Sequence, residues 1–112
     1  MDKINWQDFE RVELRAGTII NAENFPEAKK PAYKLTIDFG ENIGIKKSSA
    51  QITDLYAINE LIDKQIIAVV NFPAKQIGNF LSECLVCGFY NENNSVVLAV
   101  PEKKIENGSK LG

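Results

Sequence analysis

The chain contains no histidine among its 112 residues. Histidine is the commonest general base in enzymes and the commonest metal ligand in proteins. Its absence excludes Ser-His nucleophilic sites and histidine-bound metal centres. No other acid–base constellation is recognisable in the sequence, so we expect a protein without catalytic activity.

Cysteine is scarce as well, and the two copies lie three residues apart. Cys84 and Cys87 form the pattern C-L-V-C, which is half of a zinc or redox motif. No second pair exists to complete four zinc ligands. The surrounding SECLVCGFY is typical of a strand, so we interpret both thiols as small core side chains and expect no metal. The phosphate-binding patterns GxGxxG and GxxxxGK[ST] are missing too, so the sequence predicts no cofactor.

Long apolar runs are the third absence. No stretch approaches the roughly 20 residues of a membrane-spanning helix. The N-terminal MDKINWQDFERVELRAG has no apolar signal-peptide core. We therefore expect a cytoplasmic protein that does not insert into membranes. A composition of 45% hydrophobic and 25% charged residues predicts one ordered domain over residues 1–112.

Hydrophobic residues that are present alternate along short segments, which predicts strands. The clearest case is YKLTIDFG, where Tyr33, Leu35 and Ile37 face one side. The predicted strands cover residues 13–20, 33–40, 43–52, 65–72 and 83–90, with another at 96–100. In the first strand, one face is predicted to carry Leu14, Ala16, Thr18 and Ile20.

Two helical segments accompany these strands. Asn5 and Asp8 predict a capped helix over WQDFERV. Apolar residues at helical spacing predict a short helix or turn within residues 53–64, with Thr53 as its cap.

Strands at hairpin distance pair antiparallel, and a closed barrel leaves no exposed edge. A helix between strands three and four is the arrangement of the OB barrel. The predicted fold class is therefore all-β: a five-stranded antiparallel Greek-key OB barrel. It has an N-terminal helical extension over about residues 1–12 and a C-terminal extension over about residues 96–112. The predicted core comprises Leu35, Ile37, Phe39, Ile66, Val69, Leu85 and Val97.

The candidate binding site combines the third strand with the loop VVNFPAKQIGNFLSE, residues 69–83. An OB barrel brings these segments together on its binding face. Lysines there can contact phosphates, amides can form hydrogen bonds, and outward phenylalanine rings offer flat apolar surfaces. The candidate residues are Lys46, Lys47, Ser48, Ser49, Gln51, Asn71, Phe72, Lys75, Gln76, Phe80, Ser82 and Glu83.

Structural roles for the same residues stay open. Phe72 and Phe80 could belong to the core, and the two serines could satisfy turn backbone groups. Glu83 could orient a lysine or cap backbone N–H groups. Residues 28–80 hold seven basic and five acidic groups, although the whole chain has a net charge of −2. This local excess either attracts a polyanion or reflects ordinary solvated lysines.

The order of motifs along nearly the whole chain resembles a known family. These motifs are ELRAGTI, NFPEAKKPAYKLTIDFG, IGIKKSSAQIT, KQIIAVVNFPAKQIGNFLSECLVCG and VVLAVPEKKIENGSKLG. The family is that of the tRNA-binding domains, an OB fold, and within it the motifs resemble those of the export-related CsaA chaperones. Ser48-Ser49-Ala50 stands where tRNA-binding relatives usually have Ser-Gly-Leu, which favours the CsaA group.

The resemblance implies a non-catalytic homodimer that binds unfolded or exported preproteins, tRNA, or both. A chaperone of this kind would assist protein secretion and contact the secretion motor. The apolar residues outside the barrel core are predicted to form the dimer interface: Trp6, Phe9, Val12 and Ile105. Three hypotheses follow: a chaperone for preproteins, a tRNA-binding module that recognises folded RNA, and an enzyme, which the missing acid–base groups disfavour.

Overall fold

The computed structural model describes all residues, 1–112, as two short helices and nine strands. The helices are α1 (Trp6–Glu10) and α2 (Ile58–Leu61). The strands are β1 (Leu14–Asn24), β2 (Tyr33–Asp38), β3 (Ile45–Ala50), β4 (Gln65–Val69), β5 (Lys75–Ile77), β6 (Phe80–Ser82), β7 (Leu85–Val86), β8 (Gly88–Tyr90) and β9 (Val96–Leu98). Neither helix combines the length and the hydrophobicity that crossing a bilayer requires.

Five strands form one antiparallel sheet in the order β3-β2-β1-β4-β7. The long β1 pairs with β4 along its first half and with β2 along its second half. The sheet curls until β3 meets residues 82–84, which makes a nearly closed barrel. α2 lies in the connection from β3 to β4. The predicted OB fold and the predicted position of its helix are confirmed.

A bulge in β1 changes which side chains face the core. Ile19 pairs with Ile37 and Asn21 pairs with Thr36, so Ile20 is an extra residue. Ile19 is completely buried, whereas Ile20 is 43% exposed. The predicted alternation that places Ile20 on the same face as Ala16 therefore fails at Ile20, because one inserted residue moves the side chains after it to the opposite face.

The core lies inside the barrel. Its largest fully buried side chains are Phe39, Ile19, Leu35, Ile37, Leu61 and Ile66. Two predicted core residues are instead exposed, Leu85 at 51% and Val97 at 41%. The predicted strand 83–90 is broken at Cys87 into β7 and β8, and β8 pairs with β9 in a separate hairpin. These two side chains therefore lie outside the barrel interior.

The helix α2 is shorter than predicted and begins later. Its N-cap is Ala57, not Thr53. The carboxylate of Glu60 accepts a hydrogen bond from the N–H of Ala57 at 2.7 Å, which satisfies one of the free donors of the first turn. Leu61 anchors the helix in the core, while Leu55 is 46% exposed. The chain becomes extended at Ile62, where ψ is 131°, so only one helical turn forms.

The N-terminal helix has the predicted cap. The side chain of Asn5 accepts from the N–H of Asp8 at 3.0 Å, and the carboxylate of Asp8 accepts from the N–H of Asn5 at 3.2 Å. This capping box fixes where α1 begins. None of the residues of α1 is buried, and Trp6 is 66% exposed.

The C-terminal segment pairs with the first half of β1. The N–H of Leu111 donates to the carbonyl of Leu14 at 2.9 Å. Glu13 bridges the two chain ends through salt bridges to Arg15 and Lys110. Hydrogen bonds from these cations hold the pKa of the Glu13 carboxyl below its usual value. The division of the chain at about residues 12 and 96 into barrel and extensions stays a prediction.

Candidate binding site

An open groove of about 690 Å³ lies beside the end of β3. Its walls come from residues 49–52, the segment that contains β5, residues 82–88, and the hairpin of β8 and β9. Ten of its 16 lining residues are hydrophobic. Phe72, Leu85 and Tyr90 in the lining are 55%, 51% and 77% exposed. Concave apolar surface open to water is the usual character of a ligand site.

The barrel closes next to this groove along a seam, defined here as the contact between β3 and residues 82–84. The N–H of Glu83 donates to the carbonyl of Lys47 at 2.7 Å, and the carboxylate of Glu83 accepts from the N–H of Lys47 at 3.0 Å. The hydroxyl of Ser82 accepts from the N–H of Ser49 at 3.0 Å. Side chains therefore replace part of the backbone ladder that would otherwise close the sheet.

Ser48 completes the seam from inside. Its hydroxyl donates to the carbonyl of Cys84 at 2.8 Å, and the residue is only 1% exposed. The prediction that Ser48 lies on an exposed binding surface is wrong, because the alternation of β3 turns this side chain inward. Its hydroxyl is satisfied in the core, which is the structural role left open for it.

The outer side of β2 and β3 carries a second feature, the lysine face, formed by Lys34, Lys47 and Ser49. Lys34 lies opposite Ser49 in the β2–β3 register, and Lys47 lies opposite Thr36. Residues directly opposite in an antiparallel pair project from the same side of the sheet. Lys46 shares the inward phase of Ser48 instead, so the two adjacent lysines point to opposite sides of β3.

Glu23 lies directly opposite Lys34 in the β1–β2 register, so an acidic side chain projects beside the lysine face, but it forms no salt bridge with Lys34. The only salt bridges in the structure are those of Glu13, at the chain ends. Lys75 is the only charged side chain that lines the groove. The groove is thus apolar with one cation, while the lysine face is polar and carries two lysines.

Comparison with known proteins connects both features to a family. Residues 14–110 match the tRNA-binding domain family. The chaperone CsaA from Bacillus anthracis str. Ames is 48% identical, with a TM-score of 0.92 over 99% of this chain and 100% of that one. The CsaA chaperone protein from Picrophilus torridus is 51% identical, with a TM-score of 0.92 over 98% of this chain and 100% of that one. The chain belongs to the tRNA-binding domain family, in its CsaA group.

Longer proteins contain similar segments. The methionine–tRNA ligase of Methanocaldococcus jannaschii is 28% identical over 111 residues, which are 99% of this chain and 17% of the ligase. This CsaA-group chain therefore spans about a sixth of the length of that relative. Its fold and family are those of binding modules rather than of catalytic domains.

In this CsaA-group barrel, the predicted site residues divide between the two features and the seam. The groove lining includes five of them: Ser49, Gln51, Phe72, Lys75 and Ser82. Lys47 belongs to the lysine face, and Glu83 belongs to the seam. Phe72 is exposed, which answers the question left open for this ring.

The remaining predicted residues have partners elsewhere. Asn71 accepts a hydrogen bond from the N–H of Glu13 and donates one to the carbonyl of Arg11, so it ties the segment after α1 to the end of β4. Gln76 donates to the carbonyl of Gly78 inside its own hairpin. Phe80 is half-buried and packs edge-on against Phe25, with their ring centroids 5.4 Å apart.

Some groove residues were not predicted from the sequence. Leu85 was assigned to the core, and Tyr90, Val96 and Cys87 were not proposed as site residues. Leu85, Cys87 and Tyr90 lie in the fifth predicted strand, around its break, and Val96 begins the next one. Tyr90 and Val96 pair in the β8–β9 hairpin, and the turn NENNS between them was the one sequence signal for that hairpin.

The two thiols differ in their surroundings. Cys84 is buried in the core, and burial raises its pKa to about 11. Cys87 is half-buried at the groove, and desolvation raises its pKa as well. Neither is part of a cluster of three or more side chains that could hold a metal ion. A raised pKa makes a thiol a weak nucleophile at neutral pH, which agrees with the packing role expected for Cys84.

Proposed function

We propose that this protein is a non-catalytic chaperone of the cytoplasm that holds unfolded or exported preproteins and assists their secretion. The observation that supports this function best is the exposed apolar groove. Folded proteins seldom leave aromatic and aliphatic side chains such as Phe72, Leu85 and Tyr90 exposed together around a cavity unless a partner covers them. The identity of 48–51% with two proteins named CsaA chaperones supports the same function. The secretion motor is the partner that such a chaperone would serve.

The groove can be tested with an unfolded protein that has no native state to regain. Reduced, carboxymethylated lactalbumin is a suitable probe, with its binding followed by fluorescence anisotropy. The double substitution Leu85→Ser and Tyr90→Ser removes exposed apolar surface without touching the core. We expect it to weaken binding of the probe at least about tenfold, since it removes the burial of two large side chains.

Ile20→Ser is the matched control, because Ile20 is an exposed apolar side chain outside the groove lining. It should leave binding unchanged. Equal binding by the wild type and the groove variant, with both folded by circular dichroism, would contradict the proposed function.

We also propose that the chain forms a homodimer through α1 and the C-terminal segment. Trp6 and Ile105 are 66% and 47% exposed, and no residue of α1 is buried against the barrel. The rings of Trp6 and Phe9 contact each other, with their centroids 6.0 Å apart, and form a small apolar cluster. Val12 follows them closely in the sequence. A two-fold contact would cover this cluster on both copies and would join two grooves in one particle.

The lysine face supports a second function, binding of folded tRNA. Lys34 and Lys47 project from neighbouring strands, and neither forms a salt bridge. The face of strands two and three is where OB barrels bind nucleic acids. Membership in the tRNA-binding domain family supports tRNA as a partner. Polyanion binding weakens steeply with salt, whereas apolar binding does not, so a salt titration with bulk tRNA separates the two functions.

A further inference from the structure

The seam stops before it reaches the groove. The backbone N–H and carbonyl groups of Lys47 and the N–H of Ser49 point toward residues 82–84. In a strand, every second residue points its N–H and carbonyl groups toward the same edge. The next residue in this phase is Gln51, which follows β3 directly and lines the groove. Neither the N–H nor the carbonyl of Gln51 forms a hydrogen bond within the protein. The edge of β3 therefore continues into the groove with a free donor and a free acceptor.

A further backbone donor at the groove has no partner. The N–H of Cys84 is also free, although its carbonyl is occupied by Ser48. Buried backbone donors in folded proteins almost always have an acceptor. The free N–H groups of Gln51 and Cys84 at one groove indicate a ligand that supplies hydrogen-bond acceptors.

The charges around the groove select among such ligands. Lys75 is the only charged side chain in the lining, so a nucleic acid with one phosphate per residue would find a single cation there. An extended polypeptide supplies a carbonyl and an N–H at every second residue on one edge, and its alternate side chains can enter an apolar wall. The free groups and the apolar walls therefore match a polypeptide in the extended conformation.

We propose that the groove binds an extended polypeptide segment as an added strand, which pairs through its backbone with Gln51 and continues the seam. Alternate apolar side chains of the segment pack against walls that include Leu85 and Tyr90. This binding mode rests on the proposed chaperone function and specifies what is recognised. Because every polypeptide has the same backbone, the mode accepts many sequences provided that they are unfolded and alternately apolar.

A pair of synthetic peptides tests the backbone contact. Both have alternating valine and threonine residues, so the valine side chains enter the groove and set the phase of the strand. One peptide is N-methylated at its valine amides and the other at its threonine amides. An added strand presents only one of these two sets to Gln51. We therefore expect one methylated peptide to bind about tenfold or more weakly than the unmethylated parent, and the other to bind like the parent.

Substitution of Gln51 tests the same contact from the protein side. Gln51→Pro removes the backbone N–H, while the preceding Ala50 is in a strand, the conformation that a following proline favours. Gln51→Ala keeps the N–H and removes only the amide side chain, so it is the matched control. We expect Gln51→Pro to bind the parent peptide about tenfold more weakly than Gln51→Ala does, because only the proline variant lacks the backbone N–H.

The outcomes separate this binding mode from the chaperone function. Equal binding of both methylated peptides to the wild type would overturn strand addition, even if Gln51→Pro failed to fold. If carboxymethylated lactalbumin still bound the wild type in that case, the chaperone function would stand and recognition would be through apolar side chains alone. If neither lactalbumin nor the parent peptide bound the wild type, the chaperone function itself would be refuted.

Discussion

Glu83 and Lys47 exchange two hydrogen bonds across the seam, one from backbone to backbone at 2.7 Å and one from backbone to carboxylate at 3.0 Å. The carboxylate of Glu83 thus occupies the position where the carbonyl of a regular strand would accept. A residue predicted as a candidate ligand contact therefore closes the barrel, and its position next to the groove couples the site to the stability of the fold.

The seam contact gives a prediction about stability. Glu83→Ala should lower the free energy of unfolding by about 1 kcal/mol, because the N–H of Lys47 loses a charged acceptor. For a domain of this size, that loss corresponds to a decrease of about 4 °C in the melting temperature. Glu102→Ala, at an exposed glutamate with no hydrogen bond, is the control and should leave the melting temperature unchanged. Equal melting temperatures for the two variants would argue against a structural role of Glu83.

The opposite directions of Lys46 and Lys47 give a prediction about RNA binding. Lys47→Ala should weaken binding of bulk tRNA and reduce the slope of log K against log salt by about 1, because one phosphate contact is lost. Lys46→Ala should have a smaller effect, since this side chain follows the inward phase of β3.

The triple substitution of Lys46, Lys47 and Lys75 by alanine should reduce the salt slope further. Lys104→Ala, at an exposed lysine of the C-terminal segment, serves as the control for general loss of charge. Unchanged tRNA affinity in a folded triple variant would refute polyanion binding through these three lysines.

Light scattering at micromolar concentration tests the proposed dimer. A mass of twice the single-chain value of 12.5 kDa is expected, and a mass near 12.5 kDa would refute the dimer. Changing Trp6 and Phe9 together to Asp should convert the dimer to monomer or aggregate, because the contact would have to desolvate two charges. Leu55→Asp introduces a charge at another exposed apolar residue and should leave the mass unchanged.

The buried thiol of Cys84 predicts a loss of stability at high pH. Its pKa is raised from 9.0 to about 11, so between these pH values the unfolded chain loses a proton that the folded chain keeps. The contribution of this thiol to the free energy of unfolding is therefore fully present below pH 9. It decreases as the pH rises toward 11, by about 2 kcal/mol in total.

Comparison with Cys84→Ala isolates this contribution from the titration of lysines and tyrosines. The difference in unfolding free energy between wild type and variant, measured by urea titration, should become smaller from pH 8 to pH 11. A constant difference across this range would show that the thiolate is not disfavoured in the folded chain.

The sequence by itself determined the elements whose signals are local. Tyr33, Leu35 and Ile37 are all buried on one face of β2, as their alternation predicted, because a regular strand has a period of two. Asn5 and Asp8 form the predicted capping box for the same reason, since the atoms that define a helix start lie within three residues. The OB topology followed from the order and spacing of such elements.

Tertiary structure alone decided the features that depend on which segments meet. The bulge at Ile20, the break at Cys87 and the seam made by Glu83 arise where the sheet has to curl and close on itself, and no local pattern encodes them. Leu85 is apolar in a predicted strand, yet it is exposed because no strand covers it at that point. The groove exists for the same reason: hydrophobicity marks a side chain that can be buried, but only the neighbouring chain segments decide whether it is covered or left open to a ligand.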